Sequence, residues 1–112
     1  MEQGRLQMIE EMLQKNPTDS FLQYAAALEY EKHGELQKSI DTIEAMLKLD
    51  PEYLGAYYKL GKLYEQINQV DTAIDVYKRG KQIAKKQNDR KTTGELTEAL
   101  MILDADDDEF DW

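Results

Sequence analysis

Apolar residues fall at helical spacing along most of this chain, interrupted by short polar junctions. Leu96, Ala99, Leu100 and Leu103 show the pattern most clearly, at i, i+3, i+4 and i+7, the rhythm of an amphipathic helix. The junctions are Asn16-Pro17, His33-Gly34, Asp50-Pro51 and Asn68-Gln69, where proline, glycine and asparagine act as breakers. Pattern and punctuation together predict six helices, near 2–15, 18–32, 36–48, 53–67, 70–86 and 92–104. Thr92 and Glu95 have the spacing of a capping box at the start of the last helix. Glu95, Thr97 and Glu98 would then face water.

The pattern also repeats on a longer interval. Pro17 and Pro51 lie 34 residues apart, and Tyr24/Tyr58, Tyr30/Tyr64, Glu31/Glu65, Leu36/Val70, Ile40/Ile74 and Asp41/Asp75 keep the same interval. A fixed period of this size marks a solenoid array, in which each unit buries its apolar face against its neighbours. It points to a surface rather than to a catalytic pocket. The period extends backwards, because Leu6, Ile9 and Met12 precede Ile40, Ile43 and Met46 by 34. Residues 2–15 therefore read as the second helix of a lost repeat that caps the first intact one.

The second repeat resembles the tetratricopeptide repeat. Tyr57, Leu60, Gly61 and Tyr64 hold the aromatic, leucine, glycine and tyrosine places of that family's first helix. Ala73, Tyr77 and Gly80 hold the small, aromatic and small places of its second, and Asp50-Pro51 stands before them. The first repeat fits more loosely: Gln23 stands at the aromatic place and Ala26 at the leucine, while Ser39 and Ile43 replace the small residue and the aromatic. Small residues such as Gly61 and Ala73 let paired helices approach closely. Large ones such as Tyr64 and Tyr77 fill the space between repeats. The expected organisation is an N-terminal packing helix over 1–16, repeats over 17–50 and 51–84, a capping helix over 85–103, and an acidic tail over 104–112. The expected fold is all-α, a right-handed superhelical array of antiparallel helix pairs.

The resemblance implies that function lies on the concave face lined by the first helix of each repeat. Carried onto this chain, that face holds Phe21, Tyr24, Ala25, Leu28 and Lys32 in one repeat. In the other it holds Tyr58, Lys59, Lys62, Glu65 and Gln66. Aromatics beside lysines suit a peptide with apolar anchors and acidic groups. The alternative for Phe21 and Leu28 is packing on the N-terminal helix. Chaperone-binding members of the family grip a terminal carboxylate with lysine and asparagine. Here Tyr24 and Leu28 stand at the first lysine and asparagine places, and Lys59 replaces the next asparagine, which disfavours that role.

Charge adds a second feature. The 112 residues carry a net charge of −9, yet Lys78, Arg79, Lys81, Lys85, Lys86, Arg90 and Lys91 supply half of the 14 basic residues. The run Asp104-Ala105-Asp106-Asp107-Asp108-Glu109-Phe110-Asp111-Trp112 is almost wholly acidic, and its composition predicts disorder. Phe110 and Trp112 are the candidate contacts if this tail binds a groove in cis or in another copy. Exposed ion pairs are worth only ~0–1 kcal/mol each, so the aromatics would have to bury for such binding.

Other chemistries find no support. The absence of cysteine removes disulfides and thiolate metal sites. Asp104, Asp106 and Asp108 lack the glycine and distal glutamate of a calcium loop. His33 is expected at a surface turn, and neither Ser20 nor Ser39 has a histidine base positioned for it. The basic stretch is not interleaved with aromatics in an otherwise acidic chain, which disfavours nucleic acid. A polar start, Met1-Glu2-Gln3-Gly4-Arg5, with no long apolar run after it predicts neither a signal peptide nor a membrane span, and hence a cytoplasmic protein. The expectation is a non-enzymatic adaptor or scaffold without cofactors that binds a protein or peptide. The alternative is a homo-oligomer built on Phe21, Tyr24, Tyr53, Tyr57 and Tyr58 or on the tail.

Overall fold

The computed structural model describes residues 2–105, with side chains from residue 4 onward. Phe110 and Trp112 lie outside the described residues. Six helices account for nearly all of it: α1 Glu2–Lys15, α2 Ser20–Lys32, α3 Leu36–Leu49, α4 Gly55–Gln66, α5 Val70–Lys86 and α6 Arg90–Ile102. No strand occurs among the described residues. The chain divides into two compact units, Met1–Ala56 and Tyr57–Trp112.

In the first unit α2 packs against both α1 and α3. Ile9 of α1, with Leu6 and Leu13, packs on Ala25, Ala26 and Tyr30 of α2. Polar contacts fix the same helix pair. The Tyr30 hydroxyl donates to Glu10 at 3.0 Å, and Arg5 meets Glu29 at 3.3 Å. On the other side of α2, Ser39 stands at the small position of α3 and is fully buried. Its hydroxyl donates to the Ala27 carbonyl at 2.7 Å, so a buried polar atom is satisfied where the helices are close.

The second unit is organised around Tyr77, which no solvent reaches. Together with Ala73 it packs on Leu96, Ala99 and Leu100 of α6, with Tyr64, Ile74 and Leu103 around them. A Cβ on Gly61 would lie 2.1 Å from the Tyr77 ring, and one on Gly80 would lie 2.6 Å from the Cβ of Tyr57. The two glycines are thus the contact points of α4 and α5.

One helix-ending device recurs through the chain. At Gly34, Asn68, Asn88 and Asp104 the backbone turns to positive φ (81°, 63°, 57° and 55°). The next amide then reaches back five residues: Glu35 to Tyr30, Gln69 to Tyr64, Asp89 to Ala84 and Ala105 to Leu100, all at 2.9–3.0 Å. This is the Schellman closure, which satisfies carbonyls left open at a helix end. Glycine and asparagine suit the left-handed conformation, and aspartate tolerates it.

Three helix starts differ from the sequence expectation. Helix α2 begins at Ser20 rather than 18, because Asp19 caps it by accepting from the Leu22 amide at 3.0 Å. Helix α4 begins at Gly55 rather than 53, because Tyr53 belongs to the turn that donates to Asp50 at 3.2 Å. Helix α6 begins at Arg90, two residues before the expected capping box. Asp89 is its cap, accepting from the Thr92 amide at 2.9 Å and from the Thr92 hydroxyl at 3.0 Å. The Thr92 amide bond is the main reason that the Asp89 carboxyl is held below the usual range. Asp89→Ala is expected to raise the hydrogen-exchange rate of the Thr92 amide several-fold while leaving amides of α2 unchanged. Equal exchange in both proteins would refute the cap.

Candidate functional site

The candidate residues fall into two patches, one on each unit. On α2, Phe21, Tyr24 and Leu28 follow at i, i+3 and i+7 and so lie along one stripe of the helix. Phe21 is 69% exposed, so it is not spent on packing against α1. Leu28 is exposed as well, and Lys32 continues the stripe at the last turn. Tyr24 is half-buried because its ring stacks on Tyr53, with centroids 5.4 Å apart. Burial, with Tyr53 beside it, pushes the Tyr24 phenol up, so this ring presents a neutral hydroxyl at physiological pH.

On α4, Tyr58, Lys59, Lys62 and Glu65 occupy two successive turns. The Tyr58 ring lies 6.1 Å from that of Tyr77 at an interplanar angle of 41°, which braces it from below. The Lys62 ammonium sits 5.3 Å from the Tyr58 centroid and 3.8 Å from a Glu65 oxygen. That oxygen also accepts the Tyr77 hydroxyl in a short hydrogen bond. Burial and then this bond raise the Tyr77 phenol far above its ordinary range. The chain Tyr77–Glu65–Lys62–Tyr58 couples the core of the unit to its surface. Glu65 therefore orients Lys62, a role that its place in the repeat did not reveal. The arrangement offers an aromatic face and cations, which suit an apolar anchor next to a carboxylate. It offers no nucleophile with a base.

Other residues sit differently from expectation. Tyr57 is only 4% exposed, with Arg79 stacked over its ring at 5.8 Å. It cannot contribute to an aromatic surface for self-association, because it packs over Gly80. His33 stands in the expected turn after α2, where its backbone amide caps the helix, but its ring is half-buried, with Nε2 shielded from solvent. Lys81 is buried and Lys78 and Lys85 are half-buried, so the basic run does not make one open cationic face. Among the described residues no helix is long and apolar enough to cross a membrane, and no group of three or more His, Cys, Asp or Glu side chains could hold a metal ion.

Comparisons with known proteins agree with the helix pairs. The tetratricopeptide repeat family matches residues 54–87. A crystal structure of a tetratricopeptide repeat domain protein from Salinibacter ruber is 38% identical over 74% of this chain and 92% of that one, with a TM-score of 0.69. A solution structure from the same organism is 39% identical over 76% and 86%, with a TM-score of 0.73. A Bordetella parapertussis protein reaches a TM-score of 0.77 over 88% of this chain and 85% of that one at 23% identity, which speaks for the fold alone. No curated protein matches the chain. The spacing of Tyr57, Gly61, Tyr77 and Gly80, their contacts, and the Salinibacter likeness converge: the chain belongs to the tetratricopeptide repeat family.

Proposed function

We propose that this chain is a non-enzymatic protein-interaction module that recognises a segment of a partner through the exposed faces of α2 and α4. The observation that carries this reading is the braced Tyr58–Lys62 pair. A large aromatic is held in place by the core, with a cation over its face, and Tyr58 is still substantially exposed. Anchors of this kind lose little side-chain freedom on binding, which makes them efficient contact points. Phe21 and Leu28 supply apolar contact on the other unit. The fitting partner segment carries an apolar residue followed by acidic groups. Patches of this size support roughly micromolar binding.

The test is capture from a cell lysate on immobilised chain, with the Tyr58→Ala/Lys62→Ala variant as the comparison. Proteins retained by the wild type are expected to fall by about tenfold or more on the variant, the effect of losing an aromatic anchor and its cation. Equal retention on both would remove α4 from the binding surface.

A further inference from the structure

Helix α6 stands in the register of a first helix and is the last helix among the described residues. Shifted by 36 residues, it superposes on α4 in burial and in its ending. Leu60 and Leu96 are both buried, as are Leu63 and Ala99, and Asn68 and Asp104 both take positive φ at the closing turn. In this register Tyr57, Tyr58, Gly61 and Glu65 correspond to Thr93, Gly94, Thr97 and Met101. The α4 residues are the ones that meet α5, through Arg79, Gly80 and Tyr77. Their α6 counterparts line an open cleft of about 600 Å3, together with Lys81, Lys85, Asn88, Asp89, Arg90 and Glu98. The cleft lies where a second helix would sit.

Helix α1, the first among the described residues, stands in the opposite register. The period makes it a second helix, with Ile9 at the place of Tyr77 and Met12 at that of Gly80. Its inner side is used on α2. The side that would meet a first helix carries Met8, 63% exposed, and Met12, 48% exposed. The sizes are complementary. Between α4 and α5 a large Tyr57 lies over a small Gly80. In α1 and α6 the large residue, Met12, is on the second helix and the small one, Thr93, is on the first. The charges also match for an antiparallel pair. Glu11 stands at the place of Arg79 and would fall at the α6 N-terminus beside Arg90.

We infer that the α5–α6 cleft is the seat for α1 of a second copy of this chain, so that α6 of one protomer and α1 of the next complete a repeat across the junction. This goes beyond the partner surface proposed above and uses none of its residues. The contact is heterologous, so each copy leaves one seat and one helix open and the assembly grows head to tail. A single helix pair falls below the standard interface size, which sets the association in the range of about 10 μM to 1 mM.

Sedimentation velocity of the full chain from about 5 μM to about 1 mM tests this directly. Wild-type mass is expected to rise past the dimer as concentration increases. Met12→Glu, on α1, and Met101→Glu, on α6, each change an exposed side chain and are expected to weaken association at least about tenfold. Met8→Glu and Thr97→Glu provide a second pair, and far-UV circular dichroism checks folding. The decisive arm mixes Met12→Glu with Met101→Glu. One copy keeps an intact seat and the other an intact α1, so the mixture forms a dimer and stops there. A wild type that stays monomeric to the highest concentration overturns the inference, as does a mixture that remains monomeric. A full chain that is monomeric while a chain ending at Ala105 polymerises would assign the cleft to residues 106–112 instead, and would overturn it too.

Discussion

Gly61→Ala is expected to lower the unfolding free energy by about 2–3 kcal/mol, the scale of overpacking a well-filled core. For a domain of this size that corresponds to a fall in Tm of about 10 °C. The added methyl would lie 2.1 Å from Tyr77 Cε1 and 2.5 Å from its Cζ. The ring has nowhere to go, since it is enclosed by α6 on one side and tied to Glu65 by its hydroxyl. Relief requires α4 and α5 to separate, which loosens the contacts on both sides of Tyr77. Gly94→Ala is the matched control, because a Cβ there meets nothing within 4 Å. In the interior of α6 it should be stabilising by about 0.5–1 kcal/mol through helix propensity and the unfolded chain alone. Thermal unfolding of the two variants at low concentration should therefore move in opposite directions. Equal, small shifts would mean that α4 and α5 are not in the close contact described.

The second large effect is alkaline destabilisation. Burial first, and then the hydrogen bond to Glu10, push the Tyr30 phenol from 10.0 up to about 12. Burial and the bond to Glu65 raise Tyr77 further still. In the unfolded chain both phenols ionise near their ordinary value, so above it the unfolded state binds fewer protons than the folded state. Stability is therefore complete below about pH 10 and falls as pH climbs from there through the folded values. The slope is at most ~1.4 kcal/mol per pH unit for each tyrosine, and solvent screening of the Tyr30–Glu10 pair keeps the Tyr30 contribution below that limit. Urea midpoints measured at intervals from pH 9 to 12 should drop progressively. Tyr30→Phe should be less stable at pH 9 but show a shallower pH dependence. Parallel curves for wild type and variant would mean that Tyr30 ionises no differently in the two states.

Much of this was legible in the residue pattern. The family resemblance of the second repeat singled out Gly61, Tyr77 and Gly80, and the close approach of Gly61 to Tyr77 and of Gly80 to Tyr57 fits those places. The four breaker junctions separate five segments, since proline, glycine and asparagine interrupt helices for local steric reasons, and the Thr92–Glu95 spacing with the apolar rhythm after it marks the sixth helix. Helix starts were less legible. Thr92 and Glu95 have the right spacing for a cap, but Asp89 captures Thr92 through two bonds and opens the helix earlier. Tyr57 read equally as a surface aromatic and as a motif residue, and only its contact with Gly80 decides for burial. Glu65 read as a partner contact, whereas its position between Tyr77 and Lys62 gives it an orienting role. The likeness of α6 to α4 was hidden because their offset is 36 rather than 34, two residues longer than the period that relates the earlier pairs.

Partner recognition, as proposed, falls on the Tyr58–Lys62 face of α4 and the Phe21–Leu28 stripe of α2. An amide-detected NMR titration of the labelled full chain tests it most directly, using a peptide from the captured partner with an apolar anchor and acidic residues. Shift changes are expected to concentrate at Phe21, Tyr24, Leu28, Tyr58, Lys59 and Lys62, and to be abolished for the α4 residues by Tyr58→Ala/Lys62→Ala. Changes confined to α3 and α5, with these six residues unmoved at saturation, would contradict it.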